Sequence, residues 1–101
     1  MQLAKRSLGQ NFLKDHNIIK KIINLVEIED ENVLEVGPGK GALTYEILKR
    51  KPKSLILIEK DVSLAKALKE KLKDEKNVKV FNSDILNFDL ERKIKPRTII
   101  F

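Results

Sequence analysis

One stretch in the first half of the chain decides the fold: Val33-Leu34-Glu35-Val36-Gly37-Pro38-Gly39-Lys40-Gly41-Ala42-Leu43-Thr44. Its first four residues are apolar apart from Glu35, as expected for a strand buried in a parallel sheet. Three glycines at alternate positions follow. Glycine lets the backbone turn sharply, and it leaves room for a ligand where a Cβ would collide. A helix begins next, and its free N–H groups favour electron-rich partners. The stretch therefore predicts a strand, a glycine turn and a helix that face a ligand.

Strand and helix patterns alternate along the rest of the chain. Four apolar-rich segments have the length of a buried strand: 33–36, 55–58, 78–81 and 98–101. Three segments carry apolar side chains at helical spacing: 15–26, 41–50 and 64–72. Residues 85–90 fit either a turn or a short helix. This order predicts an α/β fold, a parallel doubly wound sheet with flanking helices and right-handed crossovers.

The composition narrows the class of protein. The chain has 101 residues, of which 42% are hydrophobic and 36% charged, as expected for a single soluble domain over residues 1–101. No apolar run approaches the roughly 20 residues that cross a bilayer, so no membrane partner is expected. With no cysteine, a disulfide framework and a thiolate metal site are both excluded. We expect a cytoplasmic protein without a metal site.

The charge is compatible with a polyanionic partner such as RNA. The net charge is +6 at pH 7. Many lysines alternate with acids, as in 66–76, which is typical of a solvated helix face. In contrast, Lys5, Arg6 and Lys14 precede the first acid, Asp15. A non-enzymatic RNA-binding or ribosome-assembly module therefore stays an open alternative.

Acids follow the ends of the second and third predicted strands. Glu59 lies about 20 residues after Gly37, a spacing that suits a carboxylate bound to a ribose diol. Asp84 is placed to accept a hydrogen bond from an adenine amine. Carboxyl ends of parallel strands share one edge of a sheet, so these residues should line one crevice. Considered alone, Glu59 is also compatible with a helix cap or an exposed strand end. Asp84 alone is also compatible with an ordinary turn aspartate.

The glycine spacing alone leaves two cofactor classes open. Gly37, Gly39 and Ala42 fit the G-x-G-x-x-A pattern of a nicotinamide-binding turn, so an oxidoreductase is one alternative. Glu35 before the first glycine and the additional Gly41 favour a different class.

Several segments together resemble the ribosomal RNA adenine dimethyltransferases: Ser7-Leu8-Gly9-Gln10-Asn11-Phe12-Leu13, Glu35-Val36-Gly37-Pro38-Gly39-Lys40-Gly41, Glu59 and Ser83-Asp84. The Leu-Gly-Gln-Asn-Phe-Leu segment is the specific one, because general methyltransferases lack it. The resemblance runs from about Lys5 to Phe101, and Ser7-Leu8-Gly9 favours the KsgA-like branch that acts on small-subunit rRNA. It implies the N-terminal half of a Rossmann-like, class I S-adenosylmethionine-dependent methyltransferase fold.

The resemblance also implies how the cofactor, S-adenosylmethionine, is bound. Asn11 and Leu13 would close over it, and Gly37 would approach its methionine portion. Glu59 would hold the ribose, and Asp84 would bind the adenine.

The reaction that the resemblance implies transfers two methyl groups in turn to the exocyclic amine of an adenine in rRNA. The expected partner is the immature small ribosomal subunit. Members of the family carry an Asn-Leu-Pro-Tyr motif after the fourth strand, whereas this chain ends at Phe101. We therefore expect an N-terminal fragment with no catalytic residue of its own, which does not methylate rRNA alone. The uncovered edge near Ile99 predicts possible self-association.

Overall fold

A four-stranded parallel sheet organises residues 16–101, the part of the chain that this computed structural model describes. The strands are β1 (Asn32–Val36), β2 (Ser54–Glu59), β3 (Val78–Asn82) and β4 (Ile99–Ile100). Their order in the sheet is β3-β2-β1-β4, and every neighbouring pair is parallel. The chain steps outward from β1 to β3 and then returns to the other side of β1. The strand order therefore reverses at β1, where open α/β sheets bind ligands.

The helices confirm the alternating pattern that the sequence predicts. They are α1 (His16–Asn24), α2 (Ala42–Lys49), α3 (Val62–Lys71), a 3₁₀ helix (Ile85–Asn87) and α4 (Leu90–Lys93). The ambiguous segment 85–90 thus contains the 3₁₀ helix and the start of α4. The predicted helix 41–50 corresponds to α2 and is one residue longer at each end. Lys51, just beyond α2, has a left-handed φ of 55°, a conformation that does not continue a right-handed helix.

One hydrophobic core lies between the sheet and the first three helices. Its buried side chains are Ile19, Ile23, Ile28, Val33, Leu43, Ile47, Leu55, Leu57, Leu68 and Leu72. Successive strand residues point to opposite faces, so Leu34 and Ile58, which are also buried, lie on the other face. The core holds β1 and β2 rigidly and so fixes where their carboxyl ends lie.

The fourth strand is shorter than the sequence predicts. Only Ile99–Ile100 forms a strand, although Phe101 continues the pairing with β1. The Phe101 N–H donates to the Leu34 carbonyl at 2.9 Å, and the Val36 N–H donates to the Phe101 carbonyl at 3.0 Å. Within residues 16–101, β4 forms one end of the sheet, and Ile100 is 57% exposed. Self-association through this edge stays a prediction.

A buried carboxyl group connects β1 to α2. Glu35 is 2% exposed, and its Oε1 accepts a hydrogen bond of 2.6 Å from the Thr44 hydroxyl, which is itself buried. Burial raises the pKa of Glu35 to about 7; the Thr44 hydrogen bond opposes this rise, and the nearby Glu59 adds to it. The pair joins the two elements that flank the glycine turn. It also makes the stability of the fold depend on pH.

We predict that Glu35→Gln removes a pH-dependent loss of stability. The folded-state pKa of Glu35 lies above its ordinary value of 4.5, so folding takes up a proton between these values. The contribution of the neutral acid is complete below about pH 4.5 and is lost as the pH rises to about 7. The loss amounts to about 3 kcal/mol in the free energy of unfolding. Glutamine stays neutral, so the variant should gain that much relative to the wild type between pH 4.5 and 8.

Urea unfolding across this pH range measures the difference between the two proteins. Glu70→Gln, which removes an exposed carboxylate on α3, is the matched control and should show no comparable gain. Stability curves that run parallel for the Glu35 variant and the wild type would contradict the assignment.

Candidate cofactor-binding site

The glycine turn at the end of β1 leaves an open space beside its backbone. Gly37, Gly39 and Gly41 have φ values of 68°, 58° and 96°, a region that side chains disfavour. A Cβ added to Gly37 or Gly39 would meet no atom within 4 Å. At Gly41 a Cβ would come within 3.1 Å of the Tyr45 ring and 3.4 Å of Leu68. The first two glycines therefore leave room for a ligand, whereas the third lets α2 pack closely.

The start of α2 faces the same turn without a side-chain cap. Gly41 is the N-cap residue and offers no side chain. Its own N–H donates to the Pro38 carbonyl at 2.9 Å, which closes the turn. The first N–H groups of a helix without such a cap are available to an electron-rich ligand group.

A buried carboxylate at the end of β2 holds the glycine turn in place. Glu59 is 6% exposed. Its Oε1 accepts a hydrogen bond from the Gly39 N–H, and its Oε2 accepts one from the Asp61 N–H, both at 2.9 Å. The Gly37 N–H also donates to the Ile58 carbonyl at 2.8 Å. A carboxylate can accept about four hydrogen bonds, so Glu59 retains capacity for a ligand.

The other interpretations of Glu59 are wrong. It is not an exposed strand end, since it is buried. It is not a helix cap either, because Asp61 caps α3 by accepting a hydrogen bond of 2.9 Å from the Leu64 N–H.

Asp84 lies just after β3 and has a structural contact of its own. It is the N-cap of the 3₁₀ helix, and its Oδ1 accepts a hydrogen bond of 3.0 Å from the Leu86 N–H. The turn-aspartate interpretation is therefore correct for this oxygen. Within residues 16–101, no hydrogen bond to Oδ2 is present, so the second oxygen remains available to a ligand.

The ends of β2 and β3 are tied together beside these acids. The Asn82 amide donates to the carbonyls of Glu59 and Lys60 at 2.9 and 3.1 Å. The Ser83 N–H donates to the Glu59 carbonyl at 3.1 Å. Three strand ends thus bring Gly37, Glu59 and Asp84 to one edge of the sheet, as the sequence predicts.

Sequence reasoning missed several residues that shape this site. In the sequence, Glu35 is a polar position in an apolar strand and part of the family-like motif, but its burial and its hydrogen bond to Thr44 are not predicted. A polar residue inside an apolar strand is the signal of such a buried carboxyl. Asp61 and Asn82 carry weaker signals, namely a polar residue before a helix and one at a strand end. Asn11 and Leu13 lie outside the described residues, and their roles stay predictions.

Two other features are absent from the described residues, namely a metal-binding cluster and a membrane-spanning helix. Among residues 16–101, no three His, Cys, Asp or Glu side chains are grouped so that they could hold a metal ion. In the same range, no helix is both long and apolar enough to span a bilayer.

The family model and the curated relatives agree on one family. The family model described as "Ribosomal RNA adenine dimethylase" matches residues 1–100. The chain is 53% identical over 83 residues to "Ribosomal RNA small subunit methyltransferase A" of Pelagibacter ubique (strain HTCC1062). That match covers 82% of this chain and 31% of the relative. The chain thus spans about a third of the length of the curated relatives that it matches.

Solved structures confirm the predicted Rossmann-like fold of class I methyltransferases. The 23S rRNA methyltransferase ErmE is similar with a TM-score of 0.64 and 37% identity, over 74% of this chain and 31% of that one. A dimethyladenosine transferase from Plasmodium falciparum has a TM-score of 0.64 and 30% identity, over 72% and 27%. With the family model matching almost every residue, the chain belongs to the ribosomal RNA adenine dimethylase family.

Proposed function

We propose that this chain forms the S-adenosylmethionine-binding part of an rRNA adenine N6-dimethyltransferase that acts on small-subunit rRNA. The observation that carries the proposal is the buried Glu59 carboxylate, which lies against a glycine turn with open space beside it. The family assignment supports methyl transfer over the nicotinamide-dependent alternative.

The residues present fit the cofactor. The open space beside Gly37 and Gly39 accommodates a ligand that lies against the backbone. The remaining acceptor capacity of Glu59 suits the two hydroxyl groups of a ribose. The second oxygen of Asp84 suits an adenine amine. The uncapped start of α2 suits the carboxylate of the methionine portion.

These residues act by positioning. When bound, S-adenosylmethionine supplies an electrophilic methyl group. Glu59 and Asp84 would fix the two ends of the nucleoside, so that the methyl group has one direction of approach. Holding reacting groups in line lowers the barrier by removing their freedom of motion. The target adenine must also be unpaired or turned out of its stack.

The relatives favour the small subunit as the source of the substrate. The relative whose name refers to the small subunit is 53% identical, whereas the one whose name refers to 23S rRNA is 37% identical. We propose the immature small ribosomal subunit as the partner and the cytoplasm as the location. A role as an assembly module is compatible with this proposal, because a methyltransferase can also monitor assembly.

A chimera tests the whole proposal. The corresponding third of the Pelagibacter relative would be replaced by this chain, and methyl transfer from labelled S-adenosylmethionine would be measured on immature small subunits and on 23S rRNA. We expect adenine dimethylation of small-subunit rRNA, and a lower rate at limiting S-adenosylmethionine when the chimera carries Glu59→Gln. A folded chimera that binds no S-adenosylhomocysteine would contradict the proposal.

We predict that Glu59→Gln weakens S-adenosylhomocysteine binding by about 1–3 kcal/mol, because charge-assisted hydrogen bonds to the ribose are lost. Isothermal titration calorimetry on the chain measures this change. Glu70→Gln, on the outer surface of α3, should leave the affinity unchanged. An unaltered affinity in the Glu59 variant would remove Glu59 from the site.

We predict that Gly37→Ala weakens cofactor binding more than it weakens the fold. The left-handed φ costs alanine about 1–2 kcal/mol in stability, while the new methyl group projects into the space left for the ligand. Gly41→Ala is the comparison, because its Cβ meets Tyr45 instead and should act mainly on stability. Calorimetry and urea unfolding of both variants separate the two effects. Equal losses of affinity and stability at Gly37 would argue against a ligand there.

A further inference from the structure

A groove lined by four lysines lies at the edge of the sheet opposite the glycine turn. Its volume is about 230 Å³. Residues at the start of each of the four strands line it: Asn32, Ser54, Asn77 and Thr98. Because the strands are parallel, their carboxyl ends, with Gly37 and Glu59, lie at the far edge. A strand of five or six residues separates the two edges by roughly 17–20 Å. The groove is therefore distinct from the cofactor site.

The lysines converge on this groove from separate segments of the chain. Lys76 precedes β3, Lys79 lies within it, Lys93 ends α4, and Lys95 follows α4. All four are exposed, and no carboxylate lines the groove. The Lys93 ammonium also lies 5.4 Å from the centre of the Phe81 ring, which is outside the groove; such a contact is favourable for a cation.

The four groove lysines carry charge that no nearby acid in the described part of the chain neutralises. Elsewhere, Lys49 on α2 and Lys73 just after α3 form ion pairs with acids three residues earlier, at 3.1 and 3.0 Å. Among residues 16–101, no ion pair involves any of the four groove lysines. Like charges that share one concave surface repel each other, and the repulsion is relieved when an anion binds between them.

We infer that this groove binds the phosphate backbone of RNA, as an anchoring site remote from the methyl-transfer site. The identification of the polyanion as RNA rests on the proposed function. The concave shape and the side-chain amides of Asn32 and Asn77 beside the lysines suit phosphate and sugar groups. A membrane surface is less suitable, because amphipathic surface binding needs exposed apolar side chains, and the apolar lining residues Val33 and Leu55 are buried while Ile56 is half-buried.

The test compares two double variants of the 101-residue chain. Lys79→Gln with Lys95→Gln alters the groove, and Lys66→Gln with Lys69→Gln removes the same charge from exposed positions on α3. Binding of a fluorescent RNA stem-loop with unpaired adenines is measured by anisotropy over a range of salt concentrations. The RNA affinity falls as salt rises, and each lost phosphate contact reduces the steepness of log K against log salt by about 0.7–0.9. For the groove variant, which lacks two lysines, this steepness should therefore fall by about 1.5. Its RNA affinity near 0.1 M salt should fall at least about tenfold.

The outcomes are distinguishable from a failure of the proposed function. The inference is supported if the groove variant loses RNA affinity and slope, the α3 variant does not, and both keep the wild-type affinity for S-adenosylhomocysteine. Equal RNA binding by the groove variant and the wild type overturns it, as does an equal loss in both variants. Groove-dependent binding of phosphatidylserine vesicles in preference to RNA also overturns it. Absence of S-adenosylhomocysteine binding by the wild type instead contradicts the proposed function, and the RNA slopes still decide the groove.

Discussion

The hydrogen bonds that the Glu59 carboxylate accepts from the backbone are the constraint on which the site depends. One oxygen binds the Gly39 N–H and the other binds the Asp61 N–H, so a single side chain joins the glycine turn, the end of β2 and the start of α3. Buried carboxylates are costly unless they are hydrogen-bonded. The same bonds that make this charge tolerable therefore hold the turn in the shape that leaves space beside Gly37.

A second buried carboxyl supports the turn from its other side. Glu35 and Thr44 connect the strand before the glycines with the helix after them. Glu59 helps to raise the pKa of Glu35, so the two acids that hold the turn also interact electrostatically.

Sequence patterns predict the elements and the shared edge but not the contacts within it. Parallel strands follow from the alternation of strand and helix patterns, and they bring the residues after the strand ends, Gly37, Glu59 and Asp84, to one edge of the sheet. The Glu35–Thr44 and Glu59–Gly39 contacts depend on how β1, β2 and α2 pack, which no local pattern encodes. Likewise, Lys79 and Lys95 look like ordinary surface lysines until the sheet places them in one groove. The sequence predicts α2 and β4 to be longer than they are. A left-handed residue just beyond α2 and the pairing of β4 at the edge of the sheet set these lengths, and the sequence pattern indicates neither.

The most direct test of the account is a two-dimensional amide NMR titration of the chain with S-adenosylhomocysteine, with NADH as the control. We expect a dispersed spectrum in which the signals of Gly37, Gly39, Glu59 and Asp84 shift with S-adenosylhomocysteine and not with NADH. A dispersed spectrum that ignores S-adenosylhomocysteine, or that responds equally to both compounds, would contradict the account.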